Sequence, residues 1–163
     1  HLTVRPHPEY VKRYGARMQA IVDKYAHMVG EGLTFELDFT TNRSTYASDL
    51  LITDWSGIAL EYCFATRRPA IFVNTKMKCM NPNWEKIGCT PTEITLRDVV
   101  GVSVDKERLD ACRDIAEDLF ARAAEYEVKI TEVLGQHIYN PGHAADVGAD
   151  YILRSLVEKR KKS

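Results

Sequence analysis

The chain has 163 residues, of which 45% are apolar and 28% charged, and its formal net charge is −1. That length suits one ordinary domain with a real core, the composition excludes a disordered or fibrous chain, and the near-neutral balance gives no global field for nucleic acid. Four cysteines without a C-x-x-C pair, and without histidines at zinc-ligand spacing, fit a reducing cytoplasm rather than a disulfide framework or a metal site.

The chain opens "HLTVRPHPEY", without Met and already inside a strand pattern, so it is expected to be part of a longer protein. Residues 2–7 read as a short strand ending at the prolines. Residues 9–28 carry Tyr10, Val11, Tyr14, Met18, Ile21, Val22 and Tyr25 at helical spacing, and Gly30 and Gly32 stop that helix. Residues 33–39 alternate as a strand. A polar segment follows, then a short buried strand over 50–53, a helix over 57–66 that Ser56 can cap, and a buried strand over 70–74. This alternation predicts a Rossmann-like α/β domain, a parallel sheet covered by helices on both faces. Beyond it, 76–88 is an irregular connection and "TPTE" (90–93) reads as a capping box. A long amphipathic helix is expected over 106–134 and a last helix over 144–159. Cys63 and Cys112 fall at core positions of helical patterns. No window has the length of a membrane span, and a signal peptide is not expected from these residues. The closing basic run, Lys159 to Lys162, reads as a solvated terminus or as a peripheral contact with an anionic membrane face.

Ligands of open parallel sheets bind outside the carboxyl ends of the strands. Three stretches are expected there: "RPHP", "TDWSG" and "NTKMK". None is a Walker loop or a G-x-G-x-x-G, and no cofactor motif is found. "TDWSG" nonetheless suits phosphate. Gly57 admits a close anion, the first N–H groups of the helix point outward, and Ser56 adds a hydroxyl. The plainer reading is that Ser56 caps the helix while Asp54 closes the turn. In "RPHP", Pro6 and Pro8 stiffen a loop that offers the guanidinium of Arg5 and the imidazole of His7, donors suited to a diphosphate. Their plainer roles are a salt bridge from Arg5 and a helix cap from His7. Lys76 and Lys78 read as surface lysines, Trp84 and Met80 as anchors of the irregular connection, and His137 and His143 as residues flanking the last turn.

Arg5-Pro6-His7-Pro8, then Ser48-Asp49-Leu50-Leu51-Ile52-Thr53-Asp54-Trp55-Ser56-Gly57, then Arg68-Pro69-Ala70-Ile71-Phe72 together resemble the CDP-glycerol glycerophosphotransferase family, the teichoic-acid primases and polymerases. The resemblance covers residues 1 to about 75 and continues weakly into "YNPGHAADVGADYIL". It implies a GT-B architecture in which this chain is the C-terminal, nucleotide-binding domain, completed by an N-terminal domain of the same protein. It further implies transfer of glycerol phosphate from CDP-glycerol in cell-envelope polymer synthesis at the inner face of the membrane. His7 would contact the donor phosphates and protonate the leaving group. Ser56, with the amides of Ser56 and Gly57, would hold the same phosphates, and Thr53 and Asp54 would shape the turn. The family often carries a second Ser where Gly57 stands, and "TNRSTYA" departs from its acidic, Leu-rich helix. The pattern T-D-x-[SG]-G-x-x-x-E is also similar to the UDP-N-acetylglucosamine 2-epimerases, which would make Glu61 a ribose ligand. The expectations are therefore a CDP-glycerol-type donor domain, inactive alone, or another nucleotide-sugar domain, or a non-catalytic interaction domain.

Overall fold

The computed structural model describes residues 1–77 and 81–161, leaving Lys78, Cys79, Met80 and Lys162 of the readings above outside the described residues. The protein is α/β, with short parallel sheets and a run of C-terminal helices. Two compact units divide it, residues 1–48 and 49–163.

In the first unit, β1 (Leu2–Val4) pairs in parallel with β2 (Leu33–Phe35), Leu2 opposite Leu33 and Val4 opposite Phe35. Both strands are shorter than the alternation suggests. Pro6 has no N–H for a ladder and Pro8 opens α1 (Pro8–Lys24), so β1 stops after three residues. α1 is followed by a single 3₁₀ turn, Ala26–Met28, and α2 (Arg43–Ala47) closes the unit. Of the apolar positions on α1 only Met18 is buried. A two-stranded sheet with this little core is marginal by itself.

The second unit holds the main core. β3 (Leu51–Thr53), β4 (Ala70–Asn74) and β5 (Gly101–Asp105) form a parallel sheet in the order β3-β4-β5. The parallel pairing is as expected, with the described strands arranged as two sheets, and β5 is an element the periodicity did not separate from its neighbours. α3 (Ile58–Thr66) connects β3 to its parallel neighbour β4. Two one-turn helices, α4 (Thr92–Thr95) and α5 (Arg97–Val100), lead into β5. Tyr62, Cys63, Ile71, Phe72, Val100, Leu119 and Ile130 are essentially inaccessible and form one cluster.

The long helix expected over 106–134 is three pieces: a 3₁₀ segment (Lys106–Ala111), α6 (Cys112–Ala121) and α7 (Ala123–His137). Arg122 breaks it at φ −103°, ψ 18°, its guanidinium held by Asp118 at 3.2 Å and Glu125 at 2.7 Å. A one-residue break hardly disturbs a 3.6-residue period, so Leu119, Tyr126, Ile130 and Val133 all still reach the core. α8 (Ala144–Lys161) carries Tyr151, Ile152, Leu153, Leu156 and Val157 more than half exposed. No described helix is long and apolar enough to cross a membrane.

Candidate functional site

β3 and β4 end side by side, with Thr53 opposite Phe72, and the chain leaves β3 through Asp54, Trp55, Ser56 and Gly57 before α3 begins. Gly57 occupies the cap position just before α3 and no side chain caps the helix, which corrects the reading of Ser56 as the cap. Instead the Ser56 carbonyl accepts the Ala59 N–H at 3.2 Å and the Gly57 carbonyl accepts Glu61 N–H at 3.3 Å. The earliest N–H groups of α3 therefore get no side-chain acceptor from the turn, which is the condition for receiving an anion.

A cavity of about 320 Å³ opens at this turn. Trp55, Ser56 and Gly57 line one part of it, with Phe72, Met77, Trp84, Ile94 and Arg97 among the rest. Its walls are largely aromatic and aliphatic, with few polar groups, the usual make-up of a small-molecule site. Trp55 is fixed by its indole N–H, which donates to the Thr75 carbonyl at 2.9 Å.

Among the described residues of the unit Arg97 is the buried charge, only 5% exposed. Its Nη1 donates to the Asp54 carbonyl at 3.2 Å, and its Nη2 to the Val73 carbonyl at 3.4 Å and to Asn74 Oδ1 at 3.0 Å. One guanidinium thus ties the ends of β3 and β4 together. Its Cζ lies 3.9 Å from the Trp55 ring centroid and 4.8 Å from that of Phe72, so two rings flank it. Burial draws its pKa down, and the charges of Asp98 and Asp54 oppose the shift. Neither carboxylate reaches ion-pair distance: among the described residues Arg97 has no salt bridge. Asp98 instead accepts the Ser103 N–H at 2.9 Å.

The other predicted residues fall as follows. Thr53 is half-buried within β3 and Asp54 is exposed, contributing its carbonyl to Arg97. Glu61 is exposed on α3 and is not among the residues lining the cavity. Trp84 does line it, and Lys76 is exposed. In the first unit, Arg5 donates to Glu36 Oε1 at 3.0 Å, Asn42 Oδ1 at 3.0 Å and Ser44 Oγ at 3.3 Å, and Ser44 also donates to Glu36. His7 caps α1, its Nδ1 accepting the Glu9 N–H at 3.1 Å. An accepting Nδ1 puts the ring proton of neutral His7 on Nε2. His137 bonds back to the Val133 carbonyl at 3.0 Å.

Two features escaped the sequence. The box at "TPTE" is absent, because α4 starts one residue later, at Thr92 after Pro91, with no side-chain cap. Arg97 reads as one more charged helix residue; its only signal is its place among Ile94, Leu96, Val99 and Val100, an apolar run that a solvated arginine would not share. Compared with protein-family models, curated proteins and solved structures, the chain gives no match.

Proposed function

We propose that the second unit binds the diphosphate of a nucleotide-linked donor of the CDP-glycerol type, as the nucleotide-binding part of a GT-B glycerophosphotransferase. The observation that carries this reading is the cavity at the uncapped start of α3, with Ser56 and Gly57 on its wall. A phosphate there would accept from the helix N–H groups and the Ser56 hydroxyl, and Gly57 leaves room, since a Cβ added to it would meet nothing within 4 Å. The apolar part of the cavity would bury the less polar portion of the ligand.

Transfer of glycerol phosphate would proceed by in-line attack of an acceptor hydroxyl on the β-phosphorus, releasing CMP. It needs charge stabilisation on the phosphates and a base for the acceptor. The motifs supply the first in this chain and imply the second from an N-terminal domain of the same protein. The chain alone is therefore expected to bind donor without turning it over. The roles that the resemblance implies for Arg5 and His7 need their own tests, because each already has structural partners inside the first unit.

Thermal unfolding with CDP, CDP-glycerol and UDP, on the wild type, Ser56→Ala and His7→Ala, tests the proposal. A ligand that binds only the folded state, at about 100 times its Kd, adds roughly 2.7 kcal/mol. A shift with CDP and CDP-glycerol that Ser56→Ala abolishes is the expected result. A shift with UDP alone would move the reading to a nucleotide-sugar enzyme, and no shift with any nucleotide would refute it for this chain.

A further inference from the structure

We infer that the buried charge of Arg97 makes the cavity select phosphorylated over unphosphorylated ligands. This rests on the nucleotide reading above and goes further, to the residue that sets specificity.

A buried cation is normally offset by a carboxylate, because leaving water is costly for an unpaired charge. Among the described residues Arg97 has hydrogen bonds but no carboxylate at ion-pair distance. Its three acceptors among the described residues are neutral: the carbonyls of Asp54 and Val73, and the amide oxygen of Asn74. The charges of Asp98 and Asp54 reach Arg97 only from beyond ion-pair distance, and the carboxylate joined to the network through Asn74 is Asp105, whose Oδ1 accepts from Asn74 Nδ2 at 2.9 Å. Asn74 thus stands between Arg97 and the acid, passing on a hydrogen bond but no charge. The flanking rings of Trp55 and Phe72 keep water from the guanidinium and offset its charge only in part.

What remains is a buried positive charge that, among the described residues, touches no carboxylate, on a residue that lines the cavity; the other charged residue of that lining, Glu93, is exposed to solvent. An anion in that cavity would supply the missing counter-charge, and a neutral ligand of the same shape would not. The same guanidinium holds the Asp54 carbonyl, so it also fixes the turn that presents Ser56 and Gly57. Arg97 acts here as a positioning and specificity residue through charge.

Charge and scaffolding can be separated by moving one acid. The double variant Asn74→Asp with Asp105→Asn exchanges the two side chains. It keeps the total charge, the Arg97 fork and the bond between the two strands, and it brings the carboxylate into contact with Arg97. The measurement is the ratio of the Kd for cytidine to the Kd for CDP, by calorimetry, at fixed salt. The wild type should favour CDP. The exchange should lower that ratio by about tenfold or more, with the melting temperature preserved. Arg97→Gln should lower the ratio and the melting temperature together, and Arg97→Lys should keep most of the ratio while melting earlier. An unchanged ratio in the exchange variant would overturn the inference and leave the nucleotide reading intact. A wild type that binds neither cytidine nor CDP would overturn both. If Arg97→Gln fails to fold, the exchange variant still decides, since it removes no group from the network.

Discussion

Gly101 is the position where a single methyl group should do the most damage. It begins β5 and stands opposite Ala70 in the parallel ladder, and both are buried. Its backbone is extended, at φ −177°, so alanine meets no conformational penalty there. The obstacle is space. A Cβ on Gly101 would run into the carbonyl oxygen of Ala70, with the Ala70 N and C both at 2.9 Å. These are backbone atoms of the central strand, and Ala70 is also paired with Leu51 on its other side, so β4 cannot yield to one neighbour without straining the other. Overpacking of this kind costs about 1–3 kcal/mol. Disturbing a ladder hydrogen bond adds about 1 kcal/mol. Gly101→Ala should therefore lose about 3 kcal/mol, and with an urea m-value near 2 kcal/mol/M its midpoint should fall by about 1.5 M. Gly135 in α7 and Gly148 in α8 provide the contrast, because a Cβ at either meets nothing within 4 Å. There alanine should stabilise by about 0.5–1 kcal/mol through helix propensity alone. Urea unfolding followed by far-UV circular dichroism reads all three. A Gly101→Ala midpoint equal to or above the wild type's would refute the steric reasoning. The consequence for function follows the same ladder: Asn74 stands opposite Asp105, so a displaced β5 would pull apart the pair beside Arg97.

Two further outcomes are expected. Burial pushes the Cys63 thiol from 9.0 up to about 12, so between those values the unfolded chain loses the proton first and binds fewer protons than the folded one. Stability should then fall with rising pH across that window, by about 1.4 kcal/mol per unit, and Cys63→Ala should flatten the slope in alkaline urea titrations; equal slopes would contradict the assignment. Arg5 and Glu36 form an ion pair with side chains only 18% and 22% exposed, so Arg5→Ala should cost about 2 kcal/mol by leaving Glu36 without its cation. Arg113→Ala, which breaks an exposed pair with Glu117, should leave the urea midpoint in place, and equal losses in the two variants would show that burial does not matter.

What could be read in the sequence was local. β4 follows from "AIFVN" after Pro69, and α3 from the apolar run after Gly57, because each is specified by its own residues. β5 was not legible, since "GVSVD" opens with a glycine, follows α5 without a turn signal, and earns its strand only by pairing with β4. The break at Arg122 was hidden for the opposite reason, as it preserves the period that a helix assignment relies on.

The site divides along the same line. Ser56 and Gly57 could be placed at the start of a helix from their neighbours alone, and the structure puts them on the wall of a cavity. Arg97 lies about 40 residues further on, and its burial depends on Asp54, Val73 and Asn74 arriving together at the ends of two strands. A turn that binds an anion needs donors at the right place, and also something to hold it there and to favour charge within it. The first requirement is written in adjacent residues. Under the proposed reading the second would be met by a side chain that only the fold brings near, which is why the motif suggested a phosphate and could not name its counter-charge.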